Sequence, residues 1–74
     1  MPKVMRSAMW YRVRLSRYFD EHYLQYEDDT LWFVDPAPNQ WLFDIVELNK
    51  RVELTCDDKG NVTVTEYPMK GFEL

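Results

Sequence analysis

The sequence has very few of the residues that build metal centres and covalent active sites. Its 74 residues include one cysteine, Cys56, and one histidine, His22. A zinc site needs several cysteine and histidine ligands at set spacings, which a single pair cannot supply. Covalent catalysis needs a nucleophile, a base and an orienting group, and no motif links Cys56 to His22. We therefore predict no catalytic residue, no metal site and no cofactor.

Glycine is equally scarce, since only Gly60 and Gly71 are present. This scarcity excludes the glycine-rich loops that hold the phosphates of nucleotides. The acidic clusters at 27–29 and 57–58 are typical of solvated turns. The second cluster also lacks the acid spacing and the closing glutamate of a calcium loop. The sequence therefore predicts that the chain is not an enzyme.

Long apolar runs and paired cysteines are also absent. The longest apolar runs, residues 31–34 and 41–43, are far below the roughly 18 residues needed to cross a bilayer. A lone cysteine cannot form an internal disulfide, and no basic start followed by an apolar segment marks a secretory signal. We expect no membrane segment and a reducing, cytoplasmic compartment.

Aromatic residues, in contrast, are plentiful: three Trp, five Tyr and four Phe. A chain this short has room for one domain, which buries only roughly 60% of the surface that its unfolded form exposes. Large aromatic side chains compensate for a small core, and self-association is the other common remedy. We predict a single domain over 1–74, with 1–8 and 69–74 poorly ordered, and we keep a homo-oligomer as an alternative.

The net charge of −4 is unevenly distributed. Residues 1–18 contain five basic residues and no acid, whereas residues 19–74 contain all thirteen acids and four basic residues. Such asymmetry can mark a basic arm for an anionic partner. It can equally mark arginines that neutralise the acidic face of the protein itself or of a second subunit.

The clearest local pattern is a β-hairpin in the C-terminal third. Residues 51–56 and 62–67 both alternate polar with apolar side chains, and residues 57–61 between them are typical of a turn. Gly60 is placed to adopt the positive φ that a short hairpin loop requires. The side chains predicted to face the core are Val52, Leu54, Cys56, Val62 and Val64.

The rest of the chain also favours strands. Residues 41–48 are rich in β-branched and aromatic side chains, which favours a strand, although a helix near 38–48 fits as well. Apolar residues alternate from Tyr11 to Phe19 as in a half-buried strand, although residues 4, 8, 11, 15 and 18 also follow helical spacing. Segments 22–26 and 30–34 predict a second hairpin. The predicted fold is all-β, a small antiparallel barrel or strongly twisted sheet of about six short strands, with α+β as the alternative.

The function that these patterns favour is binding to another protein. Trp, Tyr and Arg are the residues most enriched at interface hot spots, and the run 31–34 predicts apolar side chains on both faces of one strand. In size and acidity, though in no motif, the chain resembles small inhibitors and adaptors of phages and mobile elements. The residues predicted to bind the partner are Trp10, Arg12, Arg14, Trp32, Pro36, Pro38 and Trp41.

A nucleic-acid-binding module is the alternative function. On a strand, Trp10, Arg12, Arg14, Ser16 and Tyr18 would share one face, where arginines could hold phosphates while bases stack on the rings. The acidic remainder of the chain would repel a polyanion. Protein binding is therefore the function that the sequence favours.

Overall fold

The computed structural model describes residues 6–33 and 36–68, and it shows one helix packed on one face of a four-stranded antiparallel sheet. Helix α1 spans Ala8–His22, and a 3₁₀ helix, Leu24–Asp29, follows it. The strands are β1 (Thr30–Trp32), β2 (Gln40–Ile45), β3 (Lys50–Cys56) and β4 (Val62–Pro68). Each strand pairs with its neighbour in sequence, so the sheet order is β1-β2-β3-β4.

Helix α1 forms where the alternating pattern predicted a strand. The Ser7 hydroxyl caps it by accepting a hydrogen bond from the Trp10 N–H at 3.1 Å. Leu15 and Phe19, four residues apart, are its buried side chains and lie on one helix face. Val13, which the strand interpretation assigned to the core, is 49% exposed. The strand prediction for this segment is therefore wrong, and the helical spacing that competed with it is confirmed.

The predicted hairpin over 22–34 is also wrong in its first half. Residues 24–29 form the 3₁₀ helix, and Tyr23 is buried at the end of α1. The second half is a strand, but a short one at the edge of the sheet, where Thr30 pairs with Ile45 and Trp32 with Phe43. Val34 lies outside the described residues.

The C-terminal hairpin is confirmed. Leu54 pairs with Val64 across β3 and β4, and Gly60 in the connecting turn has a φ of 93°. The Asp57 carboxylate accepts hydrogen bonds from the N–H groups of Lys59 (2.9 Å) and Asn61 (2.8 Å), which fixes the turn. The N–H of Gly60 donates to the carbonyl of Asp57 at 3.1 Å.

The core lies between α1 and the sheet. Its buried apolar residues are Leu15, Phe19, Tyr23, Phe43, Ile45, Val52, Leu54 and Cys56. Val62 and Val64 pack against this core partly buried, as the alternation of β4 predicts. The helix covers β3 and β4, so the core lines one face of the sheet. The other face carries polar side chains together with Leu31, Phe33, Leu42 and Tyr67.

These elements correct the predicted fold class. The strand prediction for β2 is right and the helix near 38–48 is wrong, because residues 46–49 form the turn that joins β2 to β3. The helix that makes the fold α+β lies at 8–22 instead. The sheet is open and does not close into a barrel. No helix among the described residues is long and apolar enough to cross a membrane. Residues 1–5 and 69–74, most of the predicted poorly ordered ends, are outside the described part of the chain.

Candidate protein-binding surface

Three consecutive large apolar side chains are exposed along β1, at one edge of the sheet. Leu31 is 56% exposed, Trp32 48% and Phe33 37%. Side chains alternate between the two faces of a strand, so Trp32 points to the core side of the sheet and Leu31 and Phe33 to the other. The prediction of apolar side chains on both faces of this segment is therefore confirmed. Nothing in the described chain covers the outer edge of β1.

Trp32 is held in place by the aromatic core while part of its ring stays exposed. Its ring centroid lies 4.8 Å from that of Phe43, 5.1 Å from Phe19 and 5.3 Å from Trp41. The contact with Trp41 is edge-on, with 87° between the ring planes, a favourable geometry for aromatic pairs. Trp32 and Trp41, two of the residues predicted to bind the partner, lie on either side of the loop that contains Pro36 and Pro38, and their rings are in direct contact.

Arg12 lies beside this tryptophan pair. With Trp32, Phe33 and Trp41 it lines a shallow groove between the start of α1 and the edge of the sheet. Among the described residues, Arg12 forms no ion pair. We call Arg12, Leu31, Trp32, Phe33 and Trp41 the edge surface. It combines apolar area, two indole rings and one uncompensated positive charge.

Behind Phe33, the polar face of the sheet is held by an ion pair between the buried Asp44 and the half-buried Arg51. Asp44 is 1% exposed, and its carboxylate accepts a hydrogen bond from Arg51 Nε at 2.8 Å. The guanidinium of Arg51 lies 4.6 Å from the centre of the Phe33 ring. This hydrogen bond to Asp44 raises the pKa of Arg51. Phe33 is thereby packed on a fixed charged group and held at the sheet edge.

Trp10 and Arg14 were also predicted to bind the partner, and the structure places them away from the edge surface. The guanidinium of Arg14 stacks 3.7 Å from the centre of the Trp10 ring, and that of Arg6 lies 4.6 Å from it. A Cβ atom on Gly60 would lie 3.1 Å from Arg14 Nε and 3.6 Å from the Trp10 ring, so this group packs directly against the β3–β4 turn. We call Arg6, Trp10 and Arg14 the helix-start cluster.

The prediction that Arg12 and Arg14 project from one face is wrong. Residues two apart share a strand face, but on a helix with 3.6 residues per turn they point to opposite sides. Arg12 faces the edge surface and Arg14 faces the hairpin turn. The five-residue strand face on which the nucleic-acid alternative depended does not form for the same reason.

Pro36 and Pro38 are exposed in the connection between β1 and β2. The carbonyl of Ala37, between them, accepts a hydrogen bond from the N–H of Gln40 at 3.1 Å, which turns the chain into β2. Asp35, at the start of the predicted proline loop, is outside the described residues. The two prolines thus lie next to β2, on which Trp41 is the second residue.

The groups considered for chemistry lie apart. Cys56 is fully buried, its Sγ donates to the carbonyl of Asp57, and burial raises the pKa of its thiol, which disfavours the reactive thiolate. His22 is exposed on α1, and its ring centroid lies 4.2 Å from that of Tyr18. No three acidic, histidine or cysteine side chains in ranges 6–33 and 36–68 lie close enough together to hold a metal ion.

Comparison with known proteins adds no family to this picture. No protein-family model, no curated protein and no solved structure matches the chain. The residues of the edge surface therefore have to be judged by their own geometry and chemistry.

Sequence reasoning missed the role of Arg51 and Asp44 in supporting the edge surface. The signal was present, because the residues Leu48, Asn49 and Lys50 are typical of a turn before the next strand. A four-residue loop at 46–49 pairs Ile45 with Lys50 and therefore Asp44 with Arg51. Opposite charges directly across a strand pair stabilise a sheet, so that register would have indicated the ion pair.

Proposed function

We propose that this chain is a small non-enzymatic protein-binding domain that docks onto a larger protein through the edge surface and acts as an inhibitor or adaptor. The single observation that carries the proposal is the exposure of Leu31, Trp32 and Phe33 in series on an edge strand. Apolar side chains scattered singly over a surface are ordinary, whereas a contiguous patch of them marks an interaction site.

The composition of the edge surface fits this role. Tryptophan and arginine dominate the residues that lose most binding free energy when truncated, and the surface holds Trp32, Trp41 and Arg12. The Trp32 ring is positioned by Phe19 and Phe43, and Trp41 packs edge-on against Trp32, before any partner arrives. Binding would therefore cost little side-chain entropy. The partner that fits has an apolar patch with a carboxylate placed to meet Arg12.

Leu31→Ser tests the proposal, because Leu31 is exposed and its removal leaves the core intact. Burial of one leucine at an interface is worth about 1.5–3 kcal/mol, so the variant should weaken partner binding roughly tenfold or more. The measurement is quantitative co-purification of tagged protein from cells, followed by titration calorimetry with the purified partner.

The matched control is Leu24→Ser. Leu24 is 50% exposed, close to the exposure of Leu31, but it lies in the 3₁₀ helix outside the edge surface. The control should retain the partner at the wild-type level, and both variants should keep the wild-type circular dichroism spectrum. A partner retained equally by Leu31→Ser and Leu24→Ser would place the binding site elsewhere.

A further inference from the structure

The edge of the sheet opposite to the edge surface is an open, regular strand. Strand β4 pairs only with β3, and no described segment lies along its other side. The N–H of Asp57 donates to the carbonyl of Asn61 at the start of the hairpin. In an antiparallel ladder the bonded residues alternate, so Thr63, Thr65 and Tyr67 bond to β3. The N–H and C=O groups of Val62, Val64 and Glu66 therefore point outward.

We propose that a second copy of this chain pairs with β4, so that two copies form one continuous eight-stranded antiparallel sheet. An unpaired edge of this kind is a ready template for another strand. It carries no lysine, and its only proline, Pro68, is at its end. The residues Val62–Thr65 are all β-branched, which favours extended backbone on both sides of the contact.

The strand is self-complementary when Val64 lies on the two-fold axis. With Val64 on the two-fold axis, Val64 pairs with itself and Val62 pairs with Glu66 of the second copy, so all the outward N–H and C=O groups are used. Thr63 then lies opposite Thr65 of the second copy, a favourable cross-strand pair. Sliding by one pair would instead place Val62 opposite Pro68, which has no N–H to donate.

The charges on α1 complement each other across the same axis. Gly60 lies beside Trp10 and Arg14, and the Tyr23 hydroxyl donates to Glu66 at 3.1 Å. The middle of β4 is therefore level with the helix turn that carries Arg17 and Glu21. Both residues line the groove between α1 and the β4 edge, and neither forms an ion pair within the described chain. The two-fold operation brings Arg17 of each copy opposite Glu21 of the other.

The helices also fit this arrangement sterically. Because α1 covers β3 and β4, pairing of the two β4 strands at about 4.8 Å brings two antiparallel helices side by side on one face. Packed helices lie roughly 8–10 Å apart. Val13, an exposed apolar residue, lines the same groove with Val62. Val13 would be covered in the dimer, which explains why an apolar residue is found on the outer side of α1.

The first measurement is sedimentation equilibrium of the wild-type protein across a range of concentrations. The proposal predicts a reversible shift from the 9.0 kDa of one chain to twice that mass. A protein that stays at the monomer mass at every concentration, up to about a millimolar, would overturn the proposal.

Amide hydrogen exchange locates the contact. The N–H groups of Thr63 and Thr65 bond within the chain and should be protected at all concentrations. Those of Val62, Val64 and Glu66 point outward and should gain protection only as the dimer forms. Rapid exchange at Val64 in a sample that sediments as a dimer would contradict pairing through β4.

A charge swap tests the register without endangering the fold. Arg17→Glu places like charges opposite each other at two symmetric positions and should raise the dimer dissociation constant about tenfold. Adding Glu21→Arg to the same chain should restore wild-type association. Arg12→Glu, the same substitution at a helix position beside Trp32 and Trp41 at the far edge of the sheet, is the control and should leave association unchanged. Equal effects of Arg17→Glu and Arg12→Glu, or no rescue by the double variant, would overturn the register.

Val64→Pro tests the backbone contact. It removes an outward N–H that the chain itself does not use, which edge strands tolerate, and it should abolish the dimer. Val64→Ala removes the same side chain but keeps the N–H and should still dimerise. Leu31→Ser should also dimerise normally, because the edge surface is at the opposite edge of the sheet. Failure of the dimer and failure of the proposed partner binding are thus separately visible.

Discussion

The edge surface and the helix-start cluster contain the same kinds of residue, yet only one of them is open. In the helix-start cluster, Trp10 is contacted by the guanidinium groups of Arg6 and Arg14 and packs against the turn at Gly60. In the edge surface, Trp32 rests on the core but no other element of the described chain covers it. Composition alone does not distinguish a binding surface from an internal contact. The distinction depends on whether another element of the chain packs against the cluster. For Trp10, that element is the β3–β4 turn.

The substitution with the largest expected effect on stability is Gly60→Val, which should disturb the helix-start cluster and leave the edge surface unchanged. The positive φ of Gly60 is a conformation that β-branched residues rarely adopt, and a Cβ atom there would press on Arg14. We expect a loss of about 2 kcal/mol in the free energy of unfolding, measured by chemical denaturation. Gly60→Asn, which tolerates positive φ better, should lose less. Full wild-type stability of the valine variant would show that the turn does not close the helix-start cluster.

A smaller contrast is expected between Arg14→Ala and Arg12→Ala. Arg14 stacks on Trp10 and donates to the Trp10 carbonyl at 3.2 Å, so its loss should lower stability by about 1 kcal/mol. Arg12 lacks such contacts, and its loss should change stability by less than about 0.5 kcal/mol while slowing association with the partner. Thermal unfolding of both variants measures the difference. Equal destabilisation by the two would remove the distinction between the clusters.

The smallest expected effect is a pH dependence of stability that is confined to the turn beneath the helix-start cluster. The hydrogen bond from the Asn61 backbone, followed by those from the Asn61 side chain and from Lys59 and Gly60, lowers the pKa of Asp57. The stabilisation of the folded state by these hydrogen bonds to the ionised Asp57 is therefore complete above about pH 3.9, the ordinary aspartate value. It is lost as the pH falls through the depressed pKa of Asp57. We expect acid to loosen the turn beneath Trp10 before it affects Trp32.

Asp57→Asn is the variant that checks this effect, because it keeps the oxygen that accepts from the N–H groups of Lys59 and Asn61 and removes the titrating charge. Its unfolding midpoint should vary less than that of the wild type between about pH 2 and 4. Tryptophan fluorescence of Trp10, in a chain whose other tryptophans are replaced by phenylalanine, reports on the turn directly. An identical acid profile in the two proteins would show that Asp57 does not control the turn.

The sequence predicted those elements whose interacting residues lie close together along the chain. The β3–β4 hairpin was predicted because its alternation, turn residues and Gly60 all lie within one continuous segment. Helix α1 was not, because the choice between strand and helix depends on the packing of Phe19 against Trp32 and Phe43, which lie 13 and 24 positions later. Alternation at Tyr11, Val13 and Leu15 fits both structures, and only the sheet selects between them.

The candidate site follows the same rule. Trp32 and Trp41 were predicted together because they flank one loop, and the structure places their rings in contact. Arg12 was included for its charge, and the helix brings it beside them. Trp10 and Arg14 were grouped with them only through the strand geometry, and they separate once that geometry is replaced by a helix. Proximity in the sequence was enough to predict that Trp32 and Trp41 lie together. Which residues of α1 join them depends on the helix, because it turns Arg12 and Arg14 to different sides.

The sequential order of the sheet has a consequence for how the chain folds. Every strand pairs with the next one along the chain, so the sheet can assemble from local turns, which is the rapid route. Helix α1 is different, because isolated helices of about 15 residues are marginal in water and its closing contacts, Arg6 with Asp58 and Tyr23 with Glu66, span 52 and 43 residues. The C-terminal hairpin must therefore form before the N-terminal helix is stable. The rate-limiting step of folding should be the docking of α1 onto a hairpin that is already formed.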